Sequence, residues 1–137
     1  MTRPLLGLLL AAAVLGAAAT GAAPACDPPR GFTPRGRLAS GDLVVLYRTL
    51  PAAIEVGRHF AVEAVVCGAP AARVLRVDAD MPEHGHGMNY RARVSAAGDG
   101  RYLAEGLLLH MPGRWQLLID VERDGRAERL ATDLVLE

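Results

Sequence analysis

The sequence predicts an all-β protein, an antiparallel sandwich built from about seven short strands. Two observations lead to this prediction. In several short runs, apolar residues alternate with polar ones, which is the period of a strand that buries one face. Glycine, proline and aspartate separate these runs at regular intervals, a spacing that is typical of sandwiches and barrels. No segment after residue 25 has the apolar spacing of a helix.

Residues 1–25 have the pattern of a secretory signal peptide. Arg3 is their only charge, an apolar run extends from residue 5 to residue 19, and Ala23-Pro24-Ala25 fits a cleavage site before Cys26. An uncleaved membrane anchor is the alternative, although alanine and glycine make this segment weakly apolar for a spanning helix. A lipid-modified Cys26 is disfavoured, because no leucine stands three positions upstream. We therefore expect an exported protein, periplasmic or extracellular, that meets the membrane only if the segment stays uncleaved.

After the signal, the chain divides into an arm and one domain. Residues 26–41 are rich in proline and glycine and are expected to form an extended arm, whereas residues 42–137 form the domain. Its expected strands are 43–47, 58–66, 74–77, 90–95, 102–109, 115–121 and 130–136. Gly98-Asp99-Gly100 and Asp124-Gly125 predict tight hairpins between the later strands. Two packed sheets of the immunoglobulin-like type satisfy this pattern.

Composition excludes several classes of function. About 112 of the 137 residues remain after the signal, enough for a single core. The formal net charge is zero, so no basic surface for nucleic acid is expected. We also expect no enzymatic activity. No nucleophile–histidine arrangement or phosphate-binding glycine motif is recognisable, and Asp80 and Glu83 do not form a recognisable acid/base pair.

The two cysteines, Cys26 and Cys67, are predicted to form a structural disulfide that ties the arm to a strand. Export makes such a bridge chemically reasonable. A metal-binding or redox thiol is the alternative, but two cysteines this far apart match no metal-ligand spacing.

Methionine and histidine are concentrated in two short clusters, both at predicted strand junctions. Three of the four histidines and every methionine after the start residue belong to these clusters: Met81, His84, His86, Met88, His110 and Met111. Methionines that only fill a core would be scattered through the strands. Imidazole and thioether together suit copper, and imidazole also binds zinc. In an extended loop, His84 and His86 would point to the same side.

A structural interpretation is also open. The loop at 80–89 is then a polar turn, and His110 and Met111 are strand-end residues of the core. His59 lies on a predicted strand with no methionine nearby, so we expect a structural or surface residue. Trp115, the single tryptophan, is expected in the core, although an aromatic ring beside Cu(I) could shield it.

The two clusters carry a resemblance to a known family. Met81-Pro82-x-His84-x-His86-Gly87-Met88, Gly100-Arg101-Tyr102 and His110-Met111-Pro112-Gly113-Arg114-Trp115 resemble the YtkA-like and FixH-like exported domains over roughly residues 42–136. The resemblance implies an immunoglobulin-like sandwich, copper handling and the six clustered residues as ligands. For the FixH branch it also implies assembly of cbb3-type cytochrome oxidase. The apparently cleavable signal departs from that branch and argues against a direct role in oxidase assembly.

The predicted function is therefore an exported module that carries or buffers copper and exchanges it with an envelope partner, such as a copper-efflux or oxidase-assembly component. The alternative is a structural or interaction module that docks to an envelope partner through its loops without metal.

Overall fold

The computed structural model describes residues 24–68 and 71–137, so the predicted signal peptide lies outside it except for its last two residues. The described residues form nine strands and no helix, and therefore contain no helix that could span a membrane. The strands are β1 (Gly36–Ser40), β2 (Leu43–Leu50), β3 (His59–Cys67), β4 (Arg73–Met81), β5 (His86–Gly87), β6 (Arg93–Gly98), β7 (Arg101–Leu108), β8 (Gly113–Arg123) and β9 (Arg126–Leu136).

The strands form two antiparallel sheets, which confirms the predicted all-β sandwich. The first sheet has the order β1-β2-β3-β7-β6, and the second has the order β5-β4-β8-β9. Every pair of neighbouring strands is antiparallel. The hairpins predicted at residues 98–100 and 124–125 join β6 to β7 and β8 to β9.

Two strands are additional to the prediction, and the predicted strands differ in their limits, most of them being longer than expected. β1 lies inside the predicted arm, where Leu38 is buried in the core. Gly36 permits this pairing, since a Cβ there would lie 2.6 Å from the Tyr47 ring. The short β5 lies inside the predicted loop, and β4 continues into that loop as far as Met81. The strand expected at 90–95 begins only at Arg93.

The core lies between the two sheets, and β8 contributes its centre. Trp115, Leu117, Ile119 and Val121 are all 0% exposed, because the alternation along β8 turns every second side chain inward. Full burial of an aliphatic side chain such as Leu117, Ile119 or Val121 stabilises the fold by about 1.5–3 kcal/mol.

The arm crosses the outer face of the first sheet and is covalently attached there. Cys26 and Cys67 form a disulfide, with their Cα atoms 5.7 Å apart, as predicted. Phe32 is buried in a second small apolar cluster together with Val44, Leu46 and Val65. The Arg48 guanidinium lies 4.7 Å from the centre of the Phe32 ring. The arm thus covers apolar residues that the first sheet would otherwise expose.

Candidate metal-binding site

The two histidine- and methionine-containing segments lie at the same end of the sandwich, here called the histidine end. β4 and β8 are antiparallel neighbours, and Asp80 at the end of β4 pairs with Gln116 near the start of β8. The segment after β4 and the segment before β8 therefore meet. This juxtaposition depends on sheet order, which the local alternation of residues does not specify.

The segment after β4 is a tight reversal that returns the chain as β5. The amides of His84 and Gly85 both donate to the Met81 carbonyl oxygen at 3.0 Å. Gly85 takes a φ of 67°, which glycine adopts without strain. His86 consequently pairs with Met81 across the ladder. The two histidines are thus positioned by a turn and a short strand, and not by the single extended loop that was expected.

The side chains of His84, His86 and His110 form a histidine cluster. The ring centroids of His86 and His110 lie 5.1 Å apart, and those of His84 and His86 lie 5.8 Å apart. All three residues are exposed to solvent. His86 and His110 come from different segments, so their proximity is a property of the folded chain.

The buried Trp115 lies beneath the cluster. Its ring contacts the His110 ring edge-on at 5.3 Å and the His86 ring at 5.8 Å, measured between centroids. The Trp115 Nε1–H donates to the Met111 carbonyl oxygen at 3.1 Å, which satisfies the buried donor and holds the segment that carries His110. Trp115 is a core residue, as predicted, and also the floor of the histidine cluster.

The three methionines occupy different environments. Met81 is 1% exposed and belongs to the core, so a clustered methionine can fill the core as well as one scattered along a strand. The cause is the length of β4, because its inward alternation Val77, Ala79 and Met81 ends on this residue. Met88 and Met111 are half-buried and pack against the edge of the core.

The geometry of the histidine pairs suits shared coordination. A metal–nitrogen bond of about 2 Å places each ring centroid about 3 Å from the ion, so two rings that share an ion lie about 5–6 Å apart. Among residues 24–68 and 71–137, no three histidine, cysteine or carboxylate side chains form a complete metal-binding group as they stand. A third ligand must therefore come from an exposed histidine that changes its rotamer, or from the sulfur atom of a methionine.

Charged residues around the site support the turn. Glu83 accepts hydrogen bonds from the Arg114 guanidinium at 2.9 and 3.1 Å, and Arg114 also contacts Asp133. These contacts raise the pKa of Arg114 above its usual value, with the hydrogen bond to Glu83 as the largest cause. The turn is thereby tied to β8 and β9. No local pattern identifies Arg114 as the partner of Glu83, because the contact depends on the β4–β8 register.

His59 lies apart from the cluster. It is exposed at the start of β3, and its ring packs edge-on against Tyr90 at 5.5 Å between centroids. Its exposure agrees with the interpretation as a surface residue, and it offers a matched control for the three clustered histidines.

Comparisons with known proteins bear on the fold alone. No family model and no curated protein matches the chain. Among solved structures, the chain is similar to a DUF4426 family protein from Pseudomonas aeruginosa, at a TM-score of 0.52 and 18% sequence identity. The similarity covers 74% of this chain and 96% of that chain. The likeness agrees with a β-rich fold, and the resemblance to YtkA-like and FixH-like domains stays a prediction.

Proposed function

We propose that this protein is an exported module that binds copper at the histidine end and carries or buffers the ion. The observation that carries the proposal is the 5.1 Å separation of the His86 and His110 rings, which reach the same place from two different segments. Both histidines are exposed, so their imidazole nitrogens are within reach of an ion from solvent, although their rings also cover the buried indole of Trp115.

The donor set favours copper over harder ions. His84, His86 and His110 supply imidazole nitrogen, and the half-buried Met88 and Met111 lie close to them in sequence and supply thioether sulfur. Thioether and imidazole suit Cu(I), and imidazole also suits Cu(II) and Zn(II). Calcium and magnesium require more oxygen ligands than this cluster offers. Met81 is assigned to packing, because a ligand buried at 1% exposure would have to leave the core to reach an ion.

Exposure of the ligands fits a carrier or buffer. An ion held at the surface by His86 and His110 can pass to a partner by ligand exchange, with no opening of the core. The partner would be an envelope protein such as a copper-efflux or oxidase-assembly component, as the resemblance to YtkA-like and FixH-like domains implies. The same resemblance and the N-terminal pattern support export as part of the proposal.

A competition titration tests the proposal. Cu(I) is titrated into the mature chain in the presence of a chromogenic chelator, and the His86→Ala/His110→Ala variant is compared with His59→Ala. We expect the double variant to lose affinity by at least about tenfold, since it removes two ligands, while His59→Ala keeps the affinity of the parent chain. Equal loss in both variants, or none in the double variant, would overturn the assignment.

A second candidate function is docking to an envelope partner without metal. Leu50, Val56 and Tyr90 are 41%, 36% and 51% exposed. The Gly57 amide beside Val56 donates to the Leu109 carbonyl oxygen, and Tyr90 packs on His59 at the start of β3. Val56 is therefore an exposed apolar residue near the segment before His110. Under this alternative, the chain would capture its partner in a pull-down even when a strong copper chelator is present. The double variant Tyr90→Ser/Val56→Ser would no longer capture it. Capture that requires copper would support the first function.

A further inference from the structure

β9 is a long strand with an open edge. It has 11 residues and pairs with β8 over its whole length without a bulge, from Arg123↔Arg126 to Gly113↔Leu136. β9 ends the strand order of the second sheet, and no strand of the described residues pairs with its other edge. β1 of the first sheet lies close to β9 but does not pair with it, so this long, regular edge keeps unpaired backbone groups that another strand can bond.

The hairpin shows which backbone groups face outward. Asp124 and Gly125 have φ values of 51° and 71°, as in a two-residue type I′ turn closed by the pair Arg123–Arg126. The pair that closes such a turn is hydrogen-bonded, and hydrogen-bonded pairs recur at every second residue. The even-numbered residues of β9 therefore bond to β8. The odd-numbered residues direct their N–H and C=O groups away from the sheet.

The side chains at these odd positions leave the edge accessible. Ala127, Arg129, Ala131, Asp133 and Val135 are all exposed. None of them is proline, and the central one is alanine, so neither a missing donor nor bulk protects the middle of the edge.

We propose that two copies of this chain pair antiparallel along β9, with Ala131 on the two-fold axis. In this register every outward-facing odd residue meets an outward-facing odd residue of the second copy, so the backbone groups bond in pairs. Arg129 then lies opposite Asp133 of the partner subunit, and the symmetric contact repeats this pair. The result is one continuous eight-stranded sheet, twice the four strands of the second sheet.

Charge selects this register over its neighbours. A two-fold axis at Arg129 places two guanidinium groups opposite each other, and an axis at Asp133 opposes two carboxylates. Like charges directly opposite destabilise a strand pair, whereas opposite charges stabilise it. Only the register centred on Ala131 opposes Arg129 and Asp133 on both sides.

Contacts within the chain leave both groups available. The Nε and one terminal nitrogen of Arg129 donate to Asp120 at 2.6 and 2.9 Å, so its second terminal nitrogen carries free donors. Asp133 accepts one bond from Arg114 at 3.3 Å. The side chains of Arg129 and Asp133 remain 52% and 49% exposed.

The pairing is independent of the proposed copper site. β9 of each copy runs opposite to its partner, so the two histidine ends point in opposite directions and stay open to solvent. Assembly can therefore be measured without metal, and failure of the copper titration leaves this inference untouched.

Sedimentation equilibrium of the mature chain over a range of concentrations tests the pairing. We expect a monomer–dimer equilibrium in the parent chain. Ala131→Pro removes an outward N–H and no hydrogen bond to β8, and Asp133→Arg places two arginines opposite each other. Each should weaken the dimer by about tenfold or more. Glu55→Arg, the same charge change at the histidine end, should leave it unchanged.

Charge complementation makes the test specific. Arg129→Glu should also fail to self-associate, whereas an equimolar mixture of Arg129→Glu and Asp133→Arg restores opposite charges at both positions and should form a heterodimer. Thermal unfolding of each variant confirms that the monomers are folded. The proposal would be overturned if the parent chain is monomeric, or if the dimer persists in both Ala131→Pro and Asp133→Arg. It would also be overturned if the mixture of Arg129→Glu and Asp133→Arg stays monomeric.

Discussion

The indole nitrogen of Trp115 donates a hydrogen bond to the backbone carbonyl oxygen of Met111 at 3.1 Å. This bond joins a buried residue near the start of β8 to the segment that carries His110. The His110 and His86 rings rest on the same indole, at 5.3 and 5.8 Å between centroids. The histidine cluster is thus supported by a core residue, although the histidines themselves are exposed.

Trp115 should report metal binding by its fluorescence. The chain has a single tryptophan, so the emission comes from one position beside the proposed ion. Addition of Cu(II) should quench the emission saturably in the parent chain and in His59→Ala. His86→Ala/His110→Ala should shift the quenching midpoint to at least about tenfold higher copper. Identical titration curves for all three proteins would contradict the assignment.

Replacing Gly113 by alanine should destabilise the fold. Gly113 has a φ of 122°, and an added Cβ would lie 2.5 Å from the Met81 Cε. Strain and overpacking together should cost about 2 kcal/mol or more, measured by denaturant unfolding. Gly57→Ala is the control, because its φ is 73° and no atom lies within 4 Å of an added Cβ. A cost for Gly113→Ala no larger than the control value would show that Met81 yields freely.

Stability should fall in acid partly through Glu63. Burial raises the pKa of this carboxyl, but the hydrogen bonds and positive charges of Arg101 and Arg48 together lower it more, so its pKa lies below its usual value. A lowered carboxyl pKa contributes stability that is complete above the unfolded value of about 4.3 and disappears as pH falls through the folded value. Glu63→Gln should therefore destabilise the protein at neutral pH and flatten the loss of stability below about pH 4. The pH dependence of the unfolding free energy is compared with that of Asp42→Asn. The pKa of the exposed Asp42 is also lowered, chiefly by its hydrogen bond with Arg123. An unfolding free energy with the same pH slope in the parent chain and Glu63→Gln would contradict this account.

Removing the disulfide should destabilise the protein without abolishing the sandwich. Cys26 and Cys67 are 41 residues apart, and a loop of this size predicts a loss of about 4 kcal/mol when it is opened. Cys26→Ser/Cys67→Ser should therefore unfold at a lower denaturant concentration. Its near-ultraviolet circular dichroism from Trp115 should be retained, since the core between the sheets does not include the arm cluster. Loss of that signal in native buffer would show that the bridge is required for folding.

The fold was predictable where the information is local. Trp115, Leu117, Ile119 and Val121 alternate along one strand, and the turn at Asp124-Gly125 follows them directly. Strand β1 was not predicted, because the burial of Leu38 depends on a partner strand and on the fit of Gly36 against the Tyr47 ring. Tyr90 alternates with its neighbours as a strand would, yet it lies in a loop and packs on His59.

The order of residues alone was enough to place the alternating strands, the hairpin turns and the two segments in which histidine and methionine are concentrated. Each of these is a property of residues close together in the chain. The burial of Met81, the contact of Glu83 with Arg114 and the meeting of His86 and His110 over Trp115 arise only in the folded chain. Those relationships depend on which strands are neighbours and in which register they pair. Sheet order and register follow from the packing of the whole core, and no short run of residues encodes them.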